Sequence, residues 1–109
     1  DARWSTQASN IDELTALQDT ILARAARFVK LGGRLIYATC SLLPRENDER
    51  VATFLRAHPA FSRVDAREVW RGLTAASWPC GDENVLRLSP ARHGTDGFFA
   101  AILERANKP

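Results

Sequence analysis

Apolar residues recur at helical spacing through Ile11, Leu14, Leu17, Ile21, Leu22, Ala25, Phe28 and Val29, with Gln18 on the same stripe. The spacing predicts a helix of about five turns with one apolar face. Asn10 and Glu13 fit a capping box at its start, and Asp12 suits the positive helix end. Lys30-Leu31-Gly32-Gly33 then stops it, glycine supplying the left-handed conformation. Arg34 to Thr39 is short, β-rich and not strictly alternating, the pattern of a strand covered on both faces. A second helix is predicted to begin near Asn47, with Asp48 and Glu49 in its first turn, Val51, Phe54 and Leu55 facing inward, and His58-Pro59 ending it.

Beyond it, Phe61 to Asp65 reads as a short strand, Ala66 to Leu73 as a helical turn, and Thr74 to Asn84 as a loop carrying Pro79 and Gly81. Val85 to Ser89 and Gly97 to Glu104 are two further strands, separated by a turn from Pro90 to Asp96. In that turn Asp96 and Gly97 read as a hairpin device, with Gly97 supplying positive φ. Helix, strand, helix, then strands without a helix between them, is an α/β order. No repeat, low-complexity tract or second domain boundary interrupts it.

Composition changes this picture little. The chain has 109 residues, 45% hydrophobic and 26% charged, which suits one globular domain able to bury roughly 65% of its unfolded surface. A formal charge of +2 with arginine spread along the chain is too weak, by itself, to argue for nucleic acid. The longest apolar run, Phe98 to Leu103, is far short of a membrane span, and the expected location is cytoplasmic. Cys40 and Cys80 form no CxxC pair and are expected to stay reduced; with His58 and His93 they have no recognised zinc spacing, so no metal is expected. The chain contains no Met and begins Asp1-Ala2-Arg3-Trp4, from which the expectation is a piece of a longer protein, missing sequence upstream at least.

The chemistry concentrates at Cys40, where the strand beginning at Arg34 gives way to a helix. Ligands in open α/β sheets sit beyond the carboxyl ends of parallel strands, so this thiol lies where a substrate would. Buried cysteines also serve as small hydrophobes, and position alone leaves that reading open. A cysteine-dependent phosphatase is disfavoured. Its Cys-x5-Arg loop has one residue more than the Cys40-x4-Arg45 spacing here, and Pro44 removes an amide where glycines would add freedom.

Two blocks carry a more specific signal. Gly32-Gly33-Arg34-Leu35-Ile36-Tyr37-Ala38-Thr39-Cys40-Ser41, followed by Pro44 and Glu46-Asn47, resembles the catalytic-cysteine motif of the Sun-type RNA cytosine-5 methyltransferases. Leu86 to Ala101, with its Asp96-Gly97-Phe98-Phe99 signature, resembles the closing hairpin of the same family. Ala2-Arg3-Trp4 and Leu17 to Leu22 resemble the segment leading into the fifth strand, so the likeness covers almost all of the chain.

The resemblance implies an α/β fold: the C-terminal half of a class I (Rossmann-like) S-adenosylmethionine-dependent methyltransferase fold, a mixed sheet whose final strand is antiparallel. It implies that residues 1–109 are a C-terminal fragment of the catalytic domain, inactive alone. The whole protein would make 5-methylcytosine in ribosomal or transfer RNA with S-adenosylmethionine, through a covalent adduct of Cys40 at carbon 6 of the base. Thr39, Ser41, Arg45, Asn47, Arg92 and His93 are candidate RNA contacts, and Glu46 and Asn47 are also read as capping and positioning the second helix. Cofactor-binding motifs and a second, product-releasing cysteine would lie before residue 1. Pro79-Cys80-Gly81 imitates that second motif but follows Cys40, so Cys80 is read as incidental. The other reading is a non-catalytic RNA-binding or interaction module that keeps the fold. Without its parallel neighbour, the strand at Arg34 would also leave an open edge through which the fragment self-associates.

Overall fold

The computed structural model describes residues 7–94 and 97–107, apart from the side chains of residues 7–10 and Arg92. Helix α1, Gln7–Ala26, begins before the predicted capping box, so Asn10 lies within the helix instead of capping it. It also ends earlier than predicted. Past Ala26 the N–H groups of Arg27, Phe28 and Val29 reach back only three residues, to Arg24, Ala25 and Ala26, a tightened last turn. Gly32, at φ 77°, then turns the chain into strand β1, Arg34–Thr39.

The face that α1 buries matches the predicted one only in part, through Leu22 with Gln18, Ala25 and Val29 half-buried beside it. Thr15, Leu22 and Ala26 are buried, and Asp19 on the same stripe meets the next helix through Arg50. Leu14, Leu17 and Ile21 form a second apolar stripe that stays exposed, and Phe28 is 89% exposed. Helical spacing reports that a stripe wants an apolar partner, not that the partner lies in the same segment.

Helix α2 (Asp48–Ala57) and strand β2 (Phe61–Val64) fall close to expectation. Ala66–Leu73 is a full helix, α3, whose N-cap Asp65 accepts from Arg67 N at 3.0 Å. Strand β3 is Leu86–Leu88, and the predicted turn after it contains a short helix, α4, Pro90–His93. Gly94 supplies the positive φ there, at 65°.

The final strand β4, Phe98–Arg105, is the middle of the sheet. β1 pairs along one edge of it, from Arg34 opposite Glu104 to Thr39 opposite Phe99. β2 and β3 share the other edge end to end, Val64 opposite Ile102 and Leu86 opposite Ala100. Every pairing is antiparallel, so β1, β2 and β3 run parallel to one another and β4 runs against them, as expected of a last strand. Among the described residues, no strand pairs with the outer edge of β1.

The apolar run Phe98 to Leu103 is apolar throughout because a central strand faces packed layers on both sides. Phe99, Ala101 and Leu103 are fully buried beneath α1 and α2, with Leu22, Tyr37, Val51 and Phe54. β1 departs from expectation: Tyr37 is buried on one face, whereas Ile36 is 63% exposed on the other. On that face α3 shelters Ile102 of β4 and Leu86 of β3 around a 280 Å³ apolar cavity that Ile36 also borders.

A candidate catalytic cysteine loop

β1 delivers Cys40 to the end of the sheet, and the eight residues to the start of α2 form a loop built on Pro44. The N–H groups of Asn47 and Glu49 both donate to Pro44 O, at 3.1 and 3.0 Å. Cys40 is a free, exposed thiol at the carboxyl end of its strand, with no disulfide among the described residues.

Its two neighbours are pinned. Thr39 Oγ1 donates to Asn47 Oδ1 at 2.5 Å and accepts from Ser41 N at 3.2 Å, while Asn47 Nδ2 donates to Ser41 O at 2.8 Å. Ser41 Oγ donates to Glu46 Oε2 at 2.8 Å and accepts from Leu43 N at 3.0 Å. Beneath them Tyr37 Oη donates to Glu46 O at 2.6 Å. Burial of that phenol, with the neighbouring Glu46 carboxylate adding, pushes its pKa up to about 12. Asn47 is 1% exposed and occupies the N-cap position of α2, yet its side chain makes no cap hydrogen bond. The predicted cap is therefore corrected: its amide serves the cysteine loop.

Arg45 is exposed and pairs with Asp12 of α1, which raises the already high guanidinium pKa. Arg50 ties the same loop to α1, donating to Arg45 O at 2.7 Å and to Asp19 at 2.6 Å. Since β1 and β3 run parallel, α4 lies at the same end of the sheet as Cys40. Arg92 is there, its side chain outside the described ones. His93 has both ring nitrogens engaged: Nδ1 accepts from Ser89 N at 3.1 Å and Nε2 meets Pro79 O at 2.9 Å, as the donor in that tautomer. Of the sequence-predicted group, Thr39, Ser41 and Asn47 thus bracket Cys40, Arg45 sits in the same loop with its guanidinium on Asp12, and His93 is committed to its own loop.

Gly97 joins the two regions, and the reason differs from the predicted one. Its φ is not positive. A Cβ there would stand 2.5 Å from Leu42 Cδ2 and 3.3 Å from Cys40 O, so glycine permits close approach of the β4 entry to the cysteine loop. Asp96 of the same pair lies outside the described residues.

Cys80 is buried, its sulfur 3.3 Å from both N and O of Arg87. Sequence reasoning passed over Arg87 itself, which grips Asp48 through two bonds, at 2.7 and 3.1 Å, and lies 5.1 Å from the Phe99 ring centre. It fastens β3 to the start of α2; its lone position on an otherwise apolar short strand was the available signal. Among the described residues, no group of three or more His, Cys, Asp or Glu could hold a metal ion.

A sequence model described as 16S rRNA methyltransferase RsmB/F matches residues 1–104. The chain belongs to this family. It is 34% identical, over 97% of its length, to ribosomal RNA small subunit methyltransferase B of Shewanella oneidensis, covering 23% of that protein. Among solved structures it superposes on PH0851 with TM-score 0.75 and 41% identity, over 94% of this chain and 22% of that one. It also superposes on NSun6 from Pyrococcus horikoshii, solved with SFG, an analogue of S-adenosylmethionine, with TM-score 0.67 and 28% identity over 90% and 23% of the two chains. The chain thus spans about a fifth to a quarter of the length of these relatives. Its α/β architecture is the C-terminal half of a class I, Rossmann-like methyltransferase fold with an antiparallel final strand.

The cavity alongside β1 does not by itself fit S-adenosylmethionine. The 300 Å³ cavity alongside β1 is walled by Gln18, Ile21, Leu22, Ala25 and strand residues, with no carboxylate to take ribose hydroxyls. No step is assigned to the cofactor within this chain.

Proposed function

We propose that the whole protein methylates carbon 5 of a cytosine in ribosomal or transfer RNA, with S-adenosylmethionine as donor, and that Cys40 is its nucleophile. Residues 1–109 are the C-terminal part of the catalytic domain, inactive alone, and the protein works in the cytoplasm. Among the described residues no helix is long and apolar enough to cross a membrane.

The observation that carries this reading is the exposed Cys40 thiol at the carboxyl end of β1, inside a loop whose flanking residues are held by half-buried hydrogen bonds. Carbon 5 of cytosine is too electron-poor to take a methyl group directly. Addition of the Cys40 thiolate to carbon 6 moves electron density to carbon 5. With the methyl group in place, loss of the carbon 5 proton expels the thiolate and restores the aromatic ring. A base can reach the sulfur only when turned out of its stack or held single-stranded, and Arg45, exposed in the same loop beside Asp12, is the cation proposed to meet the accompanying phosphates. Thr39, Ser41 and Asn47 support the loop, their polar groups being paired within it.

In the full-length protein, Cys40→Ala is expected to abolish both methyl transfer to RNA and covalent RNA adducts. Retention of both would overturn the assignment.

A further inference from the structure

We infer that Asn47, acting with Thr39, is a positioning residue that aims the Cys40 thiol; the inference rests on the reading of Cys40 as nucleophile. An asparagine preceding a helix ordinarily accepts from the first-turn N–H groups. Asn47 stands in that position and makes no such bond. Its two polar groups go instead to the residues on either side of Cys40, accepting from the Thr39 hydroxyl at 2.5 Å and donating to Ser41 O at 2.8 Å.

The direction of the amide follows from the network. Thr39 Oγ1 already accepts from Ser41 N at 3.2 Å, so its own proton is free to go to Asn47 Oδ1. Only a side chain that accepts at one atom and donates at the other can close this bracket; a carboxylate offers two acceptors and would face Ser41 O with no proton between them. Asn47 itself is 1% exposed, while Thr39 and Ser41 are half-buried, so the amide at the centre of the bracket depends on these two partners. Cys40 lies between the two tethered residues, and among the described residues its own side chain makes no hydrogen bond. The backbone on both sides is fixed while the sulfur stays free to react, as covalent catalysis requires of a near-attack geometry.

The test uses the full-length protein with in vitro transcribed 16S ribosomal RNA, unmodified or carrying 5-fluorocytosine, whose fluorine traps the carbon 6 adduct. Asn47→Asp and Thr39→Val are expected to lower kcat, and the rate of adduct formation equally, by about tenfold to a hundredfold per folded molecule, with KM for RNA within about threefold. Thr39→Ser, which keeps the hydroxyl, is expected to recover the rate. A purely structural clamp would lower the melting temperature and the folded fraction but leave the rate per folded molecule alone. Should Asn47→Asp fail to fold, Thr39→Val decides, since it removes the hydroxyl's bonds to Asn47 Oδ1 and Ser41 N but leaves the Asn47 bond to Ser41 O in place. Wild-type kcat and adduct rate in the folded variants, with Cys40→Ala inactive, would overturn this inference and leave the nucleophile standing. Methylation surviving in Cys40→Ala would overturn both.

Discussion

Tyr37 is the only tyrosine in the chain, so one buried hydroxyl beneath the cysteine loop can be followed by itself. Replacing it with phenylalanine removes the 2.6 Å bond to Glu46 O and leaves a buried carbonyl without its donor, a loss of about 1 to 2 kcal/mol at neutral pH. The same hydroxyl makes a second, independent demand. In the unfolded chain it ionises near its ordinary value of 10.0, whereas in the fold burial first, and the Glu46 charge next, hold it up at about 12. The folded chain therefore keeps a proton that the unfolded chain gives up. Stability from this group is complete below about pH 10 and is withdrawn as pH rises through about 12; near pH 11 the withdrawal is about 1 kcal/mol after discounting for screening by water. Urea unfolding of both chains at pH 7 and near pH 11 should show the gap between them shrinking by about that amount, roughly 1 kcal/mol. Tyrosinate absorbance of the folded chain should rise well above the ordinary pH. A tyrosine that titrates near its ordinary value in the folded chain, with a gap that pH does not change, would refute the reasoning.

Gly97→Ala tests the close approach to the cysteine loop. Leu42, exposed, can swing away from the new methyl group, and the backbone accepts alanine, so stability should move by less than about 1 kcal/mol. Cys40 O, 3.3 Å from the added carbon, must shift, and methyl transfer by the full-length protein should fall about tenfold. A large loss of stability would instead return Gly97 to a conformational role. The open edge of β1, beside exposed Ile36 and Ile21, is expected to make the isolated 109-residue chain dimerise as concentration rises; sedimentation showing a monomer throughout would refute that.

How much was legible depended on whether the deciding signal was local. Strand β1 and helix α2 fall where expected because Gly32-Gly33 and His58-Pro59 punctuate the chain whatever surrounds them. The place of Cys40 at a strand end was legible as well, since the strand pattern stops at Thr39 and the loop residues follow at once. The inward face of α1 was legible only in part: Leu22 is buried as expected, but Leu14, Leu17 and Ile21 carry the stronger apolar rhythm and stay exposed, while Thr15 is buried and Asp19 meets Arg50, thirty-one positions away in sequence. Gly97 was identified as special for the wrong reason, because Asp-Gly suggests a turn and only tertiary structure reveals Leu42 and Cys40 O against its Cα. Asn47 shows the same limit. Its position marks a cap, while its partners Thr39 and Ser41 belong to a strand end that comes near only once the loop closes.

The most direct test is to trap the full-length protein on RNA carrying 5-fluorocytosine, digest both components, and locate the residual nucleotide by mass spectrometry on the peptide from Leu35 to Arg45. The nucleotide mass should sit on Cys40. A stable adduct on any other residue, or an active enzyme that forms none, would contradict the account.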